Sequence, residues 1–276
     1  MHKKISSFGY FGGKSARSGN QINQWIVSLL PTPKYNSCYC EPFAGMLGVL
    51  LSRPIVKNEI ANDSSDRIFA LWKAIRDQPQ ELFAKLDKTL YHESEFNHAL
   101  QHVDSLDGLE KAHAVAVIML LSLHKTAYSE WFSVTYLPRR IKRNFSEQFF
   151  INLHQRIKDV QFMNTDALKL MKRVSKNPEM LVYADPPYEN ASTHHYGKDN
   201  QIDHGNLKDM LSSMAGKVAI SGYGDSYDDL GCHRHEKKVN LSSMVSSDIE
   251  NQDKRTEVLW TNYDPGVVNR SLFDEI

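Results

Sequence analysis

The chain has 276 residues, of which 41% are hydrophobic, and its 33 lysines and arginines balance its 33 aspartates and glutamates. This length and composition predict an ordinary globular core, with one large domain or a domain that carries an insert. The balanced charge excludes binding to nucleic acid or to a membrane surface through net charge alone, so any nucleic-acid contact requires a local basic patch.

Neither a secretory signal nor a membrane span is expected from the sequence. The longest apolar run, "AVAVIMLLSL" at 114–123, is too short to cross a bilayer and predicts a buried helix. The three cysteines, Cys38, Cys40 and Cys232, lack the spacing of a metal-binding pair and indicate reduced thiols. These features together predict a cytoplasmic protein.

The stretch "FGYFGGKS" at 8–15 is similar to a phosphate-binding loop, because glycines precede a lysine and a hydroxyl residue. A P-loop has a glycine five residues before its Gly-Lys pair, but Phe8 occupies that position here. A glycine turn with a surface lysine is therefore favoured over a triphosphate site, and a different ligand for this stretch stays open.

Further along the chain, β-rich runs alternate with helix-like segments. The strand-like runs are 37–40, 55–61, 160–163, 180–184, 217–221 and 256–263. The helix-like segments are 20–30, 66–76, 164–174 and 205–214. This alternation predicts an α/β fold with a mostly parallel sheet. Ligands of such sheets bind beyond the carboxyl ends of the strands, so the unusual motifs that end several of these runs are candidates for one site.

The region 77–158 interrupts this alternation with three consecutive helix-like stretches. An aromatic and basic stretch, "YSEWFSVTYLPRRIKRNF" at 128–145, follows them. We therefore predict an inserted helical domain at 77–158 between two parts of a main domain, 1–76 and 159–276.

The most informative motif is "DPPY" at 185–188, which follows the run "MLVYA". The two prolines lack N–H groups and fix their φ angles, so they form a rigid turn. This turn can present the Asp185 carboxylate and the Pro186 carbonyl side by side, as two acceptors suited to an –NH₂ group. Tyr188 adds an aromatic face, and the motif as a whole predicts a site for a flat heterocycle with an exocyclic amine.

A second motif, "EPFAG" at 41–45, follows the first predicted strand and lets a ligand approach its glycine closely. Asp63 lies 22 residues after Glu41, which is the distance at which α/β folds place a carboxylate on ribose hydroxyls. A complete G-x-G-x-x-G is missing, which favours adenosine without phosphates, such as S-adenosylmethionine. Asp166 is a candidate acceptor for the adenine amine or, equally, a helix N-cap.

The motifs "FGYFGGKS", "CEPFAG", "NDSSD" and "YADPPY" occur in this order, with a long insert before the last. In this respect the chain resembles the DNA adenine-N6 methyltransferase family, and in particular its alpha group. The resemblance implies a Rossmann-like, S-adenosylmethionine-dependent methyltransferase sheet with an inserted target-recognition domain. It also implies a bacterial or phage enzyme that acts on double-stranded DNA without a metal, with a restriction endonuclease as a possible partner.

The resemblance also assigns roles to individual residues. The opening glycine loop, with Lys14, would hold the amino-acid carboxylate of the cofactor. The implied cofactor-binding residues are Tyr10, Gly12, Gly13, Lys14, Glu41, Phe43, Gly45, Asp63, Asp166 and Asp185. The implied catalytic residues are Asp185, Pro186 and Tyr188, which would hold the amine of an adenine flipped out of the duplex. Two departures from the family pattern are Leu47 in place of a second glycine, and serines after Asp63.

Local basic charge is concentrated in "LPRRIKRNF", beside Trp131, Phe132 and Tyr136. The predicted DNA-contacting residues are Arg139, Arg140, Lys142 and Arg143. Next to a base-modifying site, DNA contact is favoured over a solvated turn. The histidines His194, His195, His233 and His235 do not have zinc-site spacing, and we assign them to polar surface loops.

Two kinds of alternative function remain open from the sequence. The first keeps the fold but changes the acceptor to cytosine N4, RNA or a protein glutamine. The second is a DNA-binding module without activity, against which the acidic residues Asp63 and Asp185 and the basic Lys14 argue. Neither the target sequence nor the oligomeric state follows from these motifs.

Overall fold

The computed structural model describes residues 22–32, 38–122, 126–133, 145–187, 202–240 and 254–270. Within these ranges seven strands form one sheet, in the order β3-β2-β1-β4-β5-β7-β6. The strands are β1 (Cys38–Glu41), β2 (Asn58–Asn62), β3 (Gln161–Met163), β4 (Met180–Ala184), β5 (Lys217–Gly222), β6 (His233–Asn240) and β7 (Lys254–Thr261). The predicted α/β sheet is therefore confirmed.

The strand order fixes where a ligand can bind. Strands β1 to β5 pair in parallel, whereas β7 is antiparallel to both β5 and β6. The chain leaves β1 for β2 on one side and later reaches β4 on the other, so the order reverses between β1 and β4. Sheets of this type bind ligands in the crevice beyond the carboxyl ends of the strands at such a reversal.

Helices lie between the strands and cover both faces of the sheet. They are α1 (Ile22–Leu29), α2 (Asp66–Asp77), α3 (Pro79–Lys88), α4 (Glu93–His102), α5 (Gly108–Leu121), α6 (Glu147–Ile157), α7 (Ala167–Val174), α8 (His204–Ser212) and α9 (Pro265–Arg270). The four helix-like segments predicted in the main domain correspond to α1, α2, α7 and α8. No helix in the described part of the chain combines the length and the apolar character needed to cross a membrane.

Alternation of side chains along the strands divides the core into two clusters. Tyr39 and Leu181 point to the first face, where they join the buried residues of α2 to α6. Cys40 and Val182, each one residue further along its strand, point to the second face and pack with α7 and α8. The sheet is therefore enclosed on both sides, and its strand ends are the part that a ligand can reach.

Helices α3 to α6 lie within the predicted insert, 77–158. Their buried residues belong to the same apolar cluster as the first face of the sheet. Arg156 of α6 donates from Nη1 to Glu59 of β2 at 2.6 Å, and from Nη2 to the carbonyl of Leu50 at 2.6 Å. The division of the chain into an insert and a main domain stays a prediction.

Strand β6 was not predicted from the sequence. We assigned His233 and His235 to a polar surface loop, and this was wrong because both lie in β6, which pairs along its length with β7. The reason is physical: β6 is an edge strand in which four of the eight residues are charged, and such charge is typical of edges that avoid further pairing. Its sequence therefore lacks the apolar alternation by which strands are identified.

Candidate active site at the carboxyl ends of the strands

Acidic residues follow or end four neighbouring strands at the same edge of the sheet. Glu41 ends β1, Asp63 follows β2, Asp166 comes three residues after β3, and Asp185 follows β4. Since these strands are parallel, their carboxyl ends meet at this edge. The structure thus brings together the acidic residues that the sequence pointed to, on both sides of the β1/β4 reversal.

The turn after β1 has two residues in the left-handed region. Gly45 has a φ of +46°, and the position where its Cβ would stand has no atom within 4 Å. The backbone therefore requires a residue that tolerates positive φ, and the space beside it is open. Leu47 also has a positive φ, of 57°, although it replaces the second glycine of the family pattern. Its side chain is fully buried, which offsets a backbone strain of roughly 1–2 kcal/mol.

Asp63 ties the end of β2 to this turn. Its Oδ2 accepts a hydrogen bond from the Gly45 N–H at 2.9 Å, and its Oδ1 accepts one from the Ser65 N–H at 2.8 Å. Burial raises the pKa of Asp63 to about 6, although both backbone N–H groups favour the charged form. Each carboxylate oxygen has two lone pairs, so a ligand hydroxyl can still donate to this group.

Asn62, the last residue of β2, connects two loops of the site and was not identified as a functional residue from the sequence. Its Nδ2 donates to the carbonyls of Pro42, at 2.9 Å, and Thr165, at 3.0 Å. Its Oδ1 accepts from the Thr165 N–H at 3.0 Å. The side chain is buried, so these contacts fix the turn after β1 against the loop after β3. The only sequence signal was an amide at the end of a predicted strand.

Asp166 makes the contact expected of a helix N-cap. Its Oδ1 accepts from the Lys169 N–H at 2.9 Å, at the start of α7, and the residue is exposed. The helix-cap interpretation is therefore confirmed, and the proposed contact with an adenine amine stays a prediction.

Glu41 lies in a buried polar cluster on the first face. The Tyr39 hydroxyl donates to its Oε1 at 2.6 Å. The Arg53 guanidinium carbon lies 3.8 Å from the centre of the Tyr39 ring, and its Nη1 has no hydrogen-bond partner in the described structure. Burial raises the pKa of Glu41 to about 8. The Tyr39 hydrogen bond and the Arg53 charge oppose this rise, and the Asp185 carboxylate adds to it.

The end of β4 continues into the first three residues of the "DPPY" motif, whose role as acceptors stays a prediction. All five residues of Met180–Ala184 are buried, whereas Asp185 is half-buried at the strand end. Pro186 is buried and Pro187 half-buried. Their nitrogens carry no hydrogen, so this turn contributes carbonyl acceptors without N–H donors. The effect of Asp185 on the pKa of Glu41 indicates that the ends of β4 and β1 are electrostatically coupled.

Other predicted site residues divide into two groups. Phe43 is half-buried and packs against the second-face cluster. The remaining predicted site residues, with two of the four histidines, lie outside the described residues: Tyr10, Gly12, Gly13, Lys14, Arg139, Arg140, Lys142, Arg143, Tyr188, His194 and His195. Their roles stay predictions.

Among the described residues, no group of three or more His, Cys, Asp or Glu side chains is arranged to hold a metal ion.

Comparison with known proteins gives distant structural similarities and one family. Precorrin-8w decarboxylase from Methanobacterium thermoautotrophicum has a TM-score of 0.43 at 10% identity, over 94% of this chain and 100% of that chain. A protein from Legionella pneumophila strain Philadelphia 1 has a TM-score of 0.31 at 12% identity, over 92% of this chain and 87% of that chain. These similarities are too distant to carry an argument. No curated protein sequence matches the chain.

The family match is more informative because it includes every element of the strand-end site. The sequence matches the family described as D12 class N6 adenine-specific DNA methyltransferase over residues 10–242. The matched range contains the glycine turn, Asp63, and Asp185 with its prolines, as well as the part of the "FGYFGGKS" stretch from Tyr10 onwards. This chain therefore belongs to the D12 class N6 adenine-specific DNA methyltransferase family and is a DNA adenine methyltransferase.

Proposed function

We propose that the protein transfers a methyl group from S-adenosylmethionine to the N6 amine of an adenine flipped out of double-stranded DNA, which leaves S-adenosylhomocysteine and releases one N6 proton to solvent. The main support for this proposal is the relative position of the two acceptors and the glycine turn. The acceptors of Asp185 and Pro186 and the glycine turn tied to Asp63 lie at one edge of the sheet, on opposite sides of the β1/β4 reversal. This arrangement offers adjacent places for a target base and a cofactor.

The residues on the β1 and β2 side fit an adenosine cofactor. The open space at Gly45 admits a ligand close to the backbone, and the carboxylate of Asp63 can accept from ribose hydroxyls. When bound, S-adenosylmethionine supplies a methyl group on a positively charged sulfur. Lys14 holds its carboxylate, and Asp166 accepts from its adenine amine.

The residues on the β4 side suit the target amine. The lone pair of an adenine amine is delocalised into the ring, which makes the nitrogen a poor nucleophile. The Asp185 carboxylate and the Pro186 carbonyl accept its two N–H groups and favour a pyramidal nitrogen. Tyr188 stacks on the base, which replaces part of the stacking that the base loses on leaving the duplex.

We assign contact with the DNA backbone to the basic stretch "LPRRIKRNF". Arg139, Arg140, Lys142 and Arg143 lie within five residues, too dense for all of them to reach base edges. We assign them mainly to phosphates. Each phosphate contact contributes about −0.9 to the slope of log affinity against log salt concentration.

Replacing Arg139 and Arg140 together by alanine should therefore make this slope about 1–2 units less negative. Binding of S-adenosylmethionine should not change. An unaltered salt dependence of DNA affinity would mean that this stretch is a solvated turn that does not contact phosphate.

The overall proposal is tested by incubating the purified chain with S-adenosylmethionine carrying a labelled methyl group and with duplex DNA, RNA and protein in parallel. After hydrolysis, the label should be found in N6-methyladenine from the duplex. Label found only in cytosine, RNA or glutamine would contradict the proposal and support one of the alternative acceptors.

A further inference from the structure

One exposed aromatic side chain is not explained by the site described so far. Four large hydrophobic residues in the described part of the chain are exposed: Ile55, Leu90, Trp131 and Val267. Trp131 is 68% exposed and is by far the largest of them. It belongs to the segment 126–133, which follows α5 and which we call the tryptophan loop.

The tryptophan loop is fixed to the active-site edge at its start. The Tyr128 hydroxyl and Ser65 Oγ are hydrogen-bonded at 2.7 Å, and the Ser65 N–H donates to Asp63 Oδ1 at 2.8 Å. Arg67 Nη1 donates to the Ala127 carbonyl at 2.7 Å, and its guanidinium lies 4.6 Å from the centre of the Tyr128 ring. Two successive hydrogen bonds therefore connect this loop to the cofactor side of the site.

The loop is fixed equally firmly just after Trp131. The Phe132 ring lies 5.5 Å from that of Tyr91 and 5.8 Å from that of Phe96, measured between ring centres. The Ser133 N–H donates to the Leu121 carbonyl at 2.8 Å, and the Ser133 carbonyl accepts from the Tyr91 hydroxyl at 2.5 Å. An exposed indole is thus held between two anchored segments, three residues after the tyrosine that is bonded to the active-site edge.

We propose that Trp131 stacks on a base of the DNA at the place where the target adenine leaves the duplex. The inference rests on the proposed function and adds a residue to it. An indole held in place in advance loses little entropy on stacking, and a base left without its neighbour exposes a ring face. The basic stretch begins eight residues later in the sequence, so aromatic and cationic groups follow one another.

The charge around Trp131 distinguishes stacking from phosphate binding. The tryptophan loop contains one charged residue, Glu130, which is exposed and acidic. It cannot attract phosphate, so the loop should add affinity without adding to the salt dependence. This difference separates Trp131 from the arginines further along the chain.

Intrinsic fluorescence provides a direct readout of the contact. Of the four tryptophans, Trp72 and Trp260 are fully buried and Trp25 is half-buried, so Trp131 is the most accessible to quenchers. Adding duplex DNA at low salt should quench the wild-type emission and protect it from acrylamide. The Trp131→Phe variant should lose both changes while it still binds DNA. Unchanged wild-type emission on binding would overturn the proposal.

Affinity measurements test the energetic contribution. Trp131→Ala should weaken duplex binding by roughly 5- to 100-fold at fixed salt, and Trp131→Phe should recover most of it. The slope against salt and the affinity for S-adenosylmethionine should stay as in the wild type. Ile55→Ala is the matched control, because Ile55 is 62% exposed and precedes β2 at the opposite edge of the sheet. An equal loss in the control, or weaker cofactor binding in Trp131→Ala, would contradict the assignment.

The two proposals fail in different ways. If the wild type binds duplex DNA with the expected quenching but methylates no adenine, the proposed function fails and the stacking contact stands. If the wild type methylates adenine and Trp131→Ala does so with unchanged DNA affinity, the stacking contact fails and the function stands.

Discussion

The ends of β2 and β4 lie at the same edge of the sheet but are built in opposite ways. At the end of β2, Asn62 and Asp63 bind backbone N–H and carbonyl groups of the neighbouring loops. At the end of β4, Pro186 and Pro187 provide no N–H at all, and the turn is rigid because the rings fix its φ angles. The first end is shaped by hydrogen bonds, and the second by covalent rings.

Under the proposed function, this difference divides the tasks of the site between the two strand ends. A turn that must admit a cofactor needs one glycine in the left-handed region, and Asp63 holds that glycine in place from the next strand. A site for an –NH₂ group needs acceptors without competing donors, which is what an aspartate followed by two prolines supplies. Variants at one strand end should therefore leave the task of the other end unaffected.

The largest effect is expected at the end of β4. Asp185→Ala removes one acceptor for the target amine, and turnover should fall by about 10²–10⁴-fold. The fold should be unaffected, since Asp185 is half-buried at a strand end. The measurement is the initial rate of methyl incorporation into duplex DNA. If the variant kept most of the wild-type rate, Asp185 would have no role in the reaction.

Between the two ends lies Glu41, whose titration should be visible in the stability of the protein. Its pKa in the folded state is raised from 4.5 to about 8, so the folded protein binds this proton more tightly than the unfolded chain. The stabilisation is complete below pH 4.5 and is lost as the pH rises towards 8. Glu41→Gln cannot lose this proton, so it should be more stable than the wild type above pH 8, by up to about 5 kcal/mol.

Urea unfolding at a series of pH values checks this prediction. The difference in free energy of unfolding between Glu41→Gln and the wild type should grow between pH 4.5 and 8. Tyr39→Phe removes a hydrogen bond that lowers the pKa of Glu41, so it should move the upper limit to higher pH. A difference that is independent of pH would show that Glu41 is ionised in the folded protein throughout.

A smaller effect is expected at the end of β2. Asn62→Ala removes three hydrogen bonds from a buried side chain and should lower the free energy of unfolding by about 2–4 kcal/mol. Asn164→Ala is the matched control, because this exposed amide makes one bond, to the Asp63 carbonyl, and should lower it by about 0.5–1 kcal/mol. Equal losses in the two variants would mean that Asn62 does not hold the loops together.

The sequence predicted the parts of this molecule that depend on local patterns. The runs that became β1 to β5 and β7 are rich in apolar or β-branched residues, and the motifs at their ends contain glycine, proline and acidic residues that stand out. Because parallel strands share one carboxyl edge, it also followed that Glu41, Asp63 and Asp185 would lie at one site. Strand β6 escaped prediction because an exposed edge strand carries charge where other strands carry apolar residues.

Contacts that depend on packing could not be predicted in the same way. Arg53 lies eight residues after the "EPFAG" motif and belongs to no pattern of its own, and only the structure places it on the ring of Tyr39. The bond from Asn62 to Thr165 joins two segments that are about one hundred residues apart in the sequence. It can form only because β2 and β3 pair in the observed register. The anchoring of Trp131 likewise depends on side chains of α2 and α4.

Binding of S-adenosylmethionine to Asp63→Ala and Asp185→Ala, measured side by side by calorimetry, tests the division of tasks most directly. Asp63→Ala should bind the cofactor at least about tenfold more weakly than the wild type, since it loses a charged acceptor for hydroxyl groups. Asp185→Ala should bind it within about twofold of the wild type. Equal weakening in both variants, or weakening in Asp185→Ala alone, would contradict the assignment of the cofactor to the end of β2 and of the target base to the end of β4.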